Sequence, residues 1–112
     1  MELAVREQKG CKIIDIDGKI DRLRDSITLK SFVNTLLEEE NYRIVLNLSK
    51  VSYMDSGALN VLVYCRNVIH RKDGILVIVE PNEYVFDVLK VVGIEKIIRI
   101  YKTEEEFLSG LD

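Results

Sequence analysis

Three times in this chain a short β-branched run gives way to a stretch with helical spacing. Residues 44–48 precede the stripe Ala58, Leu59, Leu62, Cys65, Arg66 and Ile69. Ile75–Val79 precedes Val85, Val88, Leu89 and Val92. Residues 96–101 precede Phe107, Leu108 and Leu111. Runs of the first kind read as strands buried on both faces, and the stripes as helices with one face inward. Strand–helix alternation of this sort demands parallel pairing, with right-handed crossovers between neighbouring strands.

The remaining segments complete the order. Residues 3–7 and 11–16 are β-rich and flank Lys9-Gly10, which reads as a hairpin turn. That pair makes the sheet mixed. Asp25-Ser26 is a helix-start signal, followed by Leu29, Phe32, Val33, Leu36 and Leu37 at helical spacing. Glu38, Glu39 and Glu40 read as a solvated helix end. His70-Arg71-Lys72 suits the negative pole of a helix dipole, and Gly74 follows. Pro81-Asn82 opens a third helix that Gly93 closes, and Thr103-Glu104-Glu105-Glu106 has the form of a capping box. The expected fold is one α/β domain, β-β-α-β-α-β-α-β-α, with helices packed on a mixed sheet. Ile75–Val79, the most apolar run, is expected at the sheet centre, and residues 49–55 are expected as a loop.

Length agrees with a single domain over residues 1–112. Such a chain buries about 60–70% of its unfolded surface and needs neither disulfide nor metal to build a core. A formal net charge of −3 argues against a nucleic-acid or anionic-membrane binder, which needs a basic face. No apolar run approaches the roughly 20 residues that span a bilayer. The N-terminus lacks the apolar stretch of a signal peptide, and the chain reads as a complete cytoplasmic protein. Cys11 and Cys65 read as free thiols in a reducing compartment.

Catalytic signatures are missing. His70 is the only imidazole, and its place at the far end of the second helix keeps it from Asp55 and Ser56. There is no G-x-S-x-G elbow, P-loop or G-x-G-x-x-G. A receiver-like domain phosphorylated on Asp55 would need an acidic pair after an early strand. Asp15 and Asp17 instead alternate within one, and Val79-Glu80-Pro81, at the end of a late strand, offers no lysine. The sequence reads as non-enzymatic, with no cofactor of its own.

Residues 51–59 stand out. Asp55 is placed to cap the second helix, which puts Ser56 at the first helical position with its hydroxyl free to point outward. Gly57 and Ala58 keep the surroundings small. A phosphoryl group on Ser56 would add about −1.5 to −2 charges. The helix N-terminus tolerates that charge; neighbouring Asp55 resists it.

Three places give the chain its likeness to a known family. Gly18-Lys19-Ile20-Asp21 resembles a turn after a second strand. Ile44-Val45-Leu46-Asn47-Leu48-Ser49 leading into Met54-Asp55-Ser56 resembles a strand, loop and phosphorylation motif. Val92-Gly93-Ile94 followed by Ile97-Ile98 resembles a late helix–turn–strand. Together they are similar to anti-sigma-factor antagonists of the STAS-domain family. The resemblance implies that Ser56 is phosphorylated by an anti-sigma-factor serine kinase, which supplies ATP and magnesium. It implies that the unmodified form binds that kinase and frees the sigma factor, and that a metal-dependent phosphatase reverses the modification. Asp21 matches an acid on the family's docking surface. The expected partner-binding residues are Asp21, Tyr53, Met54, Asp55, Gly57, Ala58 and Asn60. The family usually has D-S-S-G-L or D-S-T-G-L; here Gly57 replaces the second hydroxyl and Ala58 the glycine. An alternative within the same fold is a constitutive scaffold subunit of a stress-signalling or lipid-transport assembly.

Overall fold

In a computed structural model that describes residues 1–111, the chain runs β1 (Glu2–Gln8), β2 (Cys11–Ile20), α1 (Leu23–Glu38), β3 (Arg43–Met54), α2 (Ser56–His70) and β4 (Ile75–Val79). It continues with α3 (Glu83–Val91), a 3-10 turn (Ile94–Lys96), β5 (Arg99–Tyr101) and α4 (Glu104–Ser109). The expected order of strands and helices is the one observed. The five strands lie side by side in chain order. Lys9 and Gly10, both at positive φ (50° and 79°), turn the antiparallel β1–β2 hairpin. All other pairs are parallel.

The winding decides the layers. Three right-handed crossovers that advance in one direction place their helices on one face. Accordingly α1, α2 and α3 bury Leu29, Val33, Leu62, Ile69, Val85 and Leu89 against Ile14, Leu46 and Ile78 of the sheet. Ile13, Val45 and Val77 point the other way and pack on Phe107 of α4. Successive residues alternate faces because strand side chains have a period of two.

Several expectations need correction. β4 lies fourth, not centrally; β3 is the middle strand. A continuous apolar run reports cover on both faces, and β4 has α2 and α3 on one and α4 on the other. Residues 49–55 are not a loop: β3 continues to Met54. Its ladder with β2 carries two irregularities, between Asp15 and Asp17 and between Gly18 and Lys19. Each inserts an extra β3 residue, so the inward residues are Leu48, Val51 and Met54, three apart. That spacing disguised the strand. Gly18, at φ 109°, lies inside β2 at the second irregularity rather than in a turn after it. α1 begins at Leu23, and Asp25 is its third residue, accepting a hydrogen bond from Arg22 N at 3.2 Å. Residues 96–98 are not in the last strand, and Val92 is exposed.

The second face closes on an ionic cluster. Arg6 bonds Asp15 at 2.6 and 2.8 Å and Glu104 at 2.7 and 3.0 Å. Asn47 donates to Glu104 at 3.1 Å, and the Glu104 amide donates to Glu80 at 2.9 Å. Three strands are thereby tied to the first turn of α4. The Arg6 guanidinium, with help from Asn47, holds the Glu104 carboxyl below its usual range despite partial burial. A carboxyl lowered in the folded state contributes stability above its unfolded pKa of about 4.3, and loses it as pH falls through the folded value. Urea melts at pH 6 and pH 3 should therefore show a loss on acidification. Glu104→Gln should cost about 1 kcal/mol at pH 6 and much less at pH 3. An equal cost at both pH values would mean that the carboxylate charge does not matter.

Candidate functional site

The site forms where β2 and β3 end together. The Asp55 amide donates to Ile20 O at 3.2 Å, so the strand ladder runs directly into the start of α2. Asp55 is extended (φ −93°, ψ −176°) and its Oδ1 accepts from Ala58 N at 2.8 Å. Asp55 is thus the N-cap, as expected. Ser56 takes the first helical position and is exposed. The capping bond goes to Asp55, which leaves the Ser56 hydroxyl outside that role. Backbone N–H groups of a first helical turn have no intrahelical acceptor, so the hydroxyl stands beside donors and a positive helix pole.

Packing keeps the approach open. A Cβ at Gly57 would lie 3.3 Å from Asp55 Oδ1 and 3.8 Å from Ser26 Oγ. The first turns of α1 and α2 therefore meet across Gly57, and a larger residue would crowd the capping carboxylate. Asp21 is exposed next to Ile20, at the mouth of the same region. Asn60 is exposed one helical turn beyond Ser56. Tyr53, 41% exposed, stacks on Tyr84 of α3 with ring centroids 6.4 Å apart and planes 14° from parallel.

Asp21, Tyr53, Asp55, Ser56, Gly57 and Asn60 thus share one end of the molecule. Met54 and Ala58 do not share its surface. They are 4% and 1% exposed and belong to the core under the helices. Met54 alternates with outward Tyr53 on the strand, and Ala58 lies on the sheet-facing side of α2. Three contributors were missed by sequence reasoning. Ser26 was legible only as part of a helix start and Tyr84 not at all, because packing alone brings them here. Asn82 was legible as a helix start: it caps α3 through Val85 N at 2.8 Å. Its second bond was not: Nδ2 donates to Val51 O at 2.7 Å. β4 pairs with β3 only as far as Asn47, so a side chain supplies the bond that a neighbouring strand would otherwise make.

His70 is the last residue of α2, about 21 Å along the axis from Ser56. Asp15 is engaged by Arg6 and Asp55 by the helix it caps, and among the described residues no group of three or more His, Cys, Asp or Glu side chains is placed to hold a metal ion. Both thiols are buried, and burial pushes Cys65 up to about 12 and Cys11 upward as well. Such thiols stay protonated and weakly nucleophilic. No helix among the described residues is long and apolar enough to cross a membrane.

Comparison with known proteins gives a consistent picture. The family profile for the STAS domain matches residues 2–107. An anti-sigma F factor antagonist of Paenibacillus polymyxa is 24% identical over 112 residues, covering 100% of this chain and 96% of its own. A solved structure from Thermotoga maritima, of a protein provisionally assigned as an anti-sigma factor antagonist, superimposes with a TM-score of 0.88 at 26% identity. It covers 96% of this chain and 92% of that one. The Bacillus cell fate determinant SpoIIAA in its phosphorylated form shares the fold, with a TM-score of 0.75 at 16% identity over 99% and 100% of the two chains.

Proposed function

The chain belongs to the STAS domain family, and from that premise we propose that it is an anti-sigma-factor antagonist gated by phosphorylation of Ser56. The unmodified chain docks on an anti-sigma-factor serine kinase in the cytoplasm and displaces the sigma factor. The kinase brings ATP and magnesium and transfers a phosphoryl group to Ser56, which ends the docking. A metal-dependent phosphatase restores the free hydroxyl. The chain is substrate and ligand in this cycle and not a catalyst.

The observation that carries this reading is the exposed Ser56 hydroxyl at the first position of α2, with Asp55 occupied as the cap. A phosphate there leaves the cap intact and meets the positive helix pole, so the fold tolerates it. At an interface the added charge is costly. One unit charge about 4 Å from a like charge costs on the order of 4 kcal/mol at an effective dielectric of 20. That is close to three decades of affinity.

Incubation with the cognate kinase and Mg-ATP, followed by mass mapping, tests the site. One phosphate per chain is expected on Ser56 and none on the Ser56→Ala variant. Phosphate found only at another residue overturns the assignment.

A further inference from the structure

One edge of the sheet runs along β1. Proteins ordinarily blunt such an edge with Pro, Lys or a bulge; β1 contains neither residue and pairs with β2 without interruption. Lys9 and Gly10 form a two-residue turn, so the closing pair Gln8–Cys11 exchanges both backbone bonds. The alternation follows from there. Glu2, Ala4 and Arg6 direct their backbone groups to β2, and Leu3, Val5 and Glu7 direct theirs away from it. Between this edge and α1 lies a groove of about 630 Å³, lined by Val5, Ile27 and Phe32 among others. Val5 and Ile27 are 38% and 55% exposed. Arg24, Thr28, Ser31, Thr35 and Glu39 recur at three- and four-residue steps, so they form one row along the groove side of α1. The row begins with a cation and ends with an anion. Neither Arg24 nor Glu39 makes an ion pair among the described residues, and Lys12, in the same groove, is held by Glu7 at 3.1 Å.

We propose that the occupant of this edge is a second copy of the chain, its β1 antiparallel to this one about a two-fold axis at Ala4. Backbone parity limits the choice. Outward-pointing residues pair only with one another, so the axis falls on a residue and not between two. An axis on Ala4 sets Leu3 against Val5, apolar against apolar, and Glu2 against Arg6. An axis on Val5 sets Leu3 against Glu7, one on Arg6 sets that arginine against itself, and one on Leu3 leaves Arg6, Glu7 and Gln8 unpaired. Arg6 keeps one N–H beyond those bonded to Asp15 and Glu104, which an opposing Glu2 can accept. The row on α1 carries the stronger charge argument, because Arg6 already serves two carboxylates. Leu3 and Val5 pair with Ile16 and Ile14 on the helical face, so the axis stands perpendicular to the sheet and the two α1 helices run antiparallel along the seam. Ala4 pairs with Asp15 near the middle of β2, and Ser31 is near the middle of α1. The axis therefore brings Arg24 of each copy toward Glu39 of the other, with the smaller Thr28, Ser31 and Thr35 between. The two Ser56 ends point in opposite directions and stay open.

Sedimentation equilibrium of the full chain, from micromolar to millimolar concentration, tests the pairing. A reversible monomer–dimer equilibrium is expected. Arg24→Glu and Glu39→Arg should each weaken it about tenfold, since each change acts twice across the axis. The two changes together should restore the parental affinity, because the pair is re-formed with its signs exchanged. Val5→Pro removes an N–H that β2 does not use and should abolish the dimer. All three positions are exposed, and the melting temperature reports whether the variants fold as the parent does; should the proline variant not fold, the charge exchange alone decides. Hydrogen exchange at the Leu3 and Val5 amides should slow as the concentration rises. A chain that stays monomeric at millimolar concentration, a dimer that a folded Val5→Pro variant leaves intact, or a double variant no tighter than the single ones would overturn the proposal.

Discussion

Ser56→Asp is expected to weaken the complex with the cognate anti-sigma factor by about two orders of magnitude, while Ser56→Ala binds like the parent. The substituted carboxylate sits beside Asp55, so a docked partner would meet two negative charges where the parent has one. Aspartate adds a single charge where phosphate adds nearly two, and screening at physiological salt trims the effect. Its penalty therefore falls below the three decades expected for the phosphoryl group. The folded chain should scarcely notice. A carboxylate in the first turn of a helix is favourable by about 0.3–1 kcal/mol, so the melting temperature should stay level or rise slightly. Calorimetric titration of the three forms at 0.15 M salt reads the effect. Equal affinities for all three would instead favour a constitutive scaffold.

The largest expected loss of stability comes from the centre of the sheet. Leu46 is 0% exposed on β3, between Ile14 and Ile78 in register, under the helical layer. Leu46→Ala removes three carbons and leaves a cavity that well-packed neighbours on both sides cannot fill. A cost of about 3–5 kcal/mol is expected, against a total stability of about 5–15 kcal/mol for a domain. The melting temperature should fall by roughly 10–20 °C. Val91→Ala is the control: Val91 is 85% exposed, and its truncation should change stability by less than about 0.5 kcal/mol. A loss below about 1 kcal/mol for Leu46→Ala would mean that β3 is not the packed centre of the fold.

The elements most legible in the sequence were those governed by one undisturbed period. Leu29, Val33, Leu36 and Leu37 marked α1, and Ala58, Leu62, Cys65 and Ile69 marked α2; all are buried. The Asp55 cap could be read because capping is a local contact. Legibility failed where two strands had to be known together. The irregular ladder between β2 and β3 gives Leu48, Val51 and Met54 a spacing that no single strand predicts, so the second half of β3 looked like a loop. The same error exposed Met54 on paper and buried it in fact. β4 was misplaced because hydropathy records cover on two faces and is silent about strand order. Tyr84, Ser26 and the second bond of Asn82 come to the site only through α3 and α1, at distances along the chain that sequence patterning does not register.

The central claim is that one hydroxyl at the start of α2 acts as an electrostatic gate for docking while the fold stands unchanged. Amide spectra of the ¹⁵N-labelled chain, before and after stoichiometric phosphorylation, with anti-sigma factor titrated into each, test it most directly. A gate at Ser56 predicts shifts confined to residues 20–26 and 53–60, with the anti-sigma factor engaging the unmodified form and at least a hundredfold weaker engagement of the modified one. Undiminished binding by the phosphorylated chain, or a spectrum rearranged across β1 to β4, would contradict it.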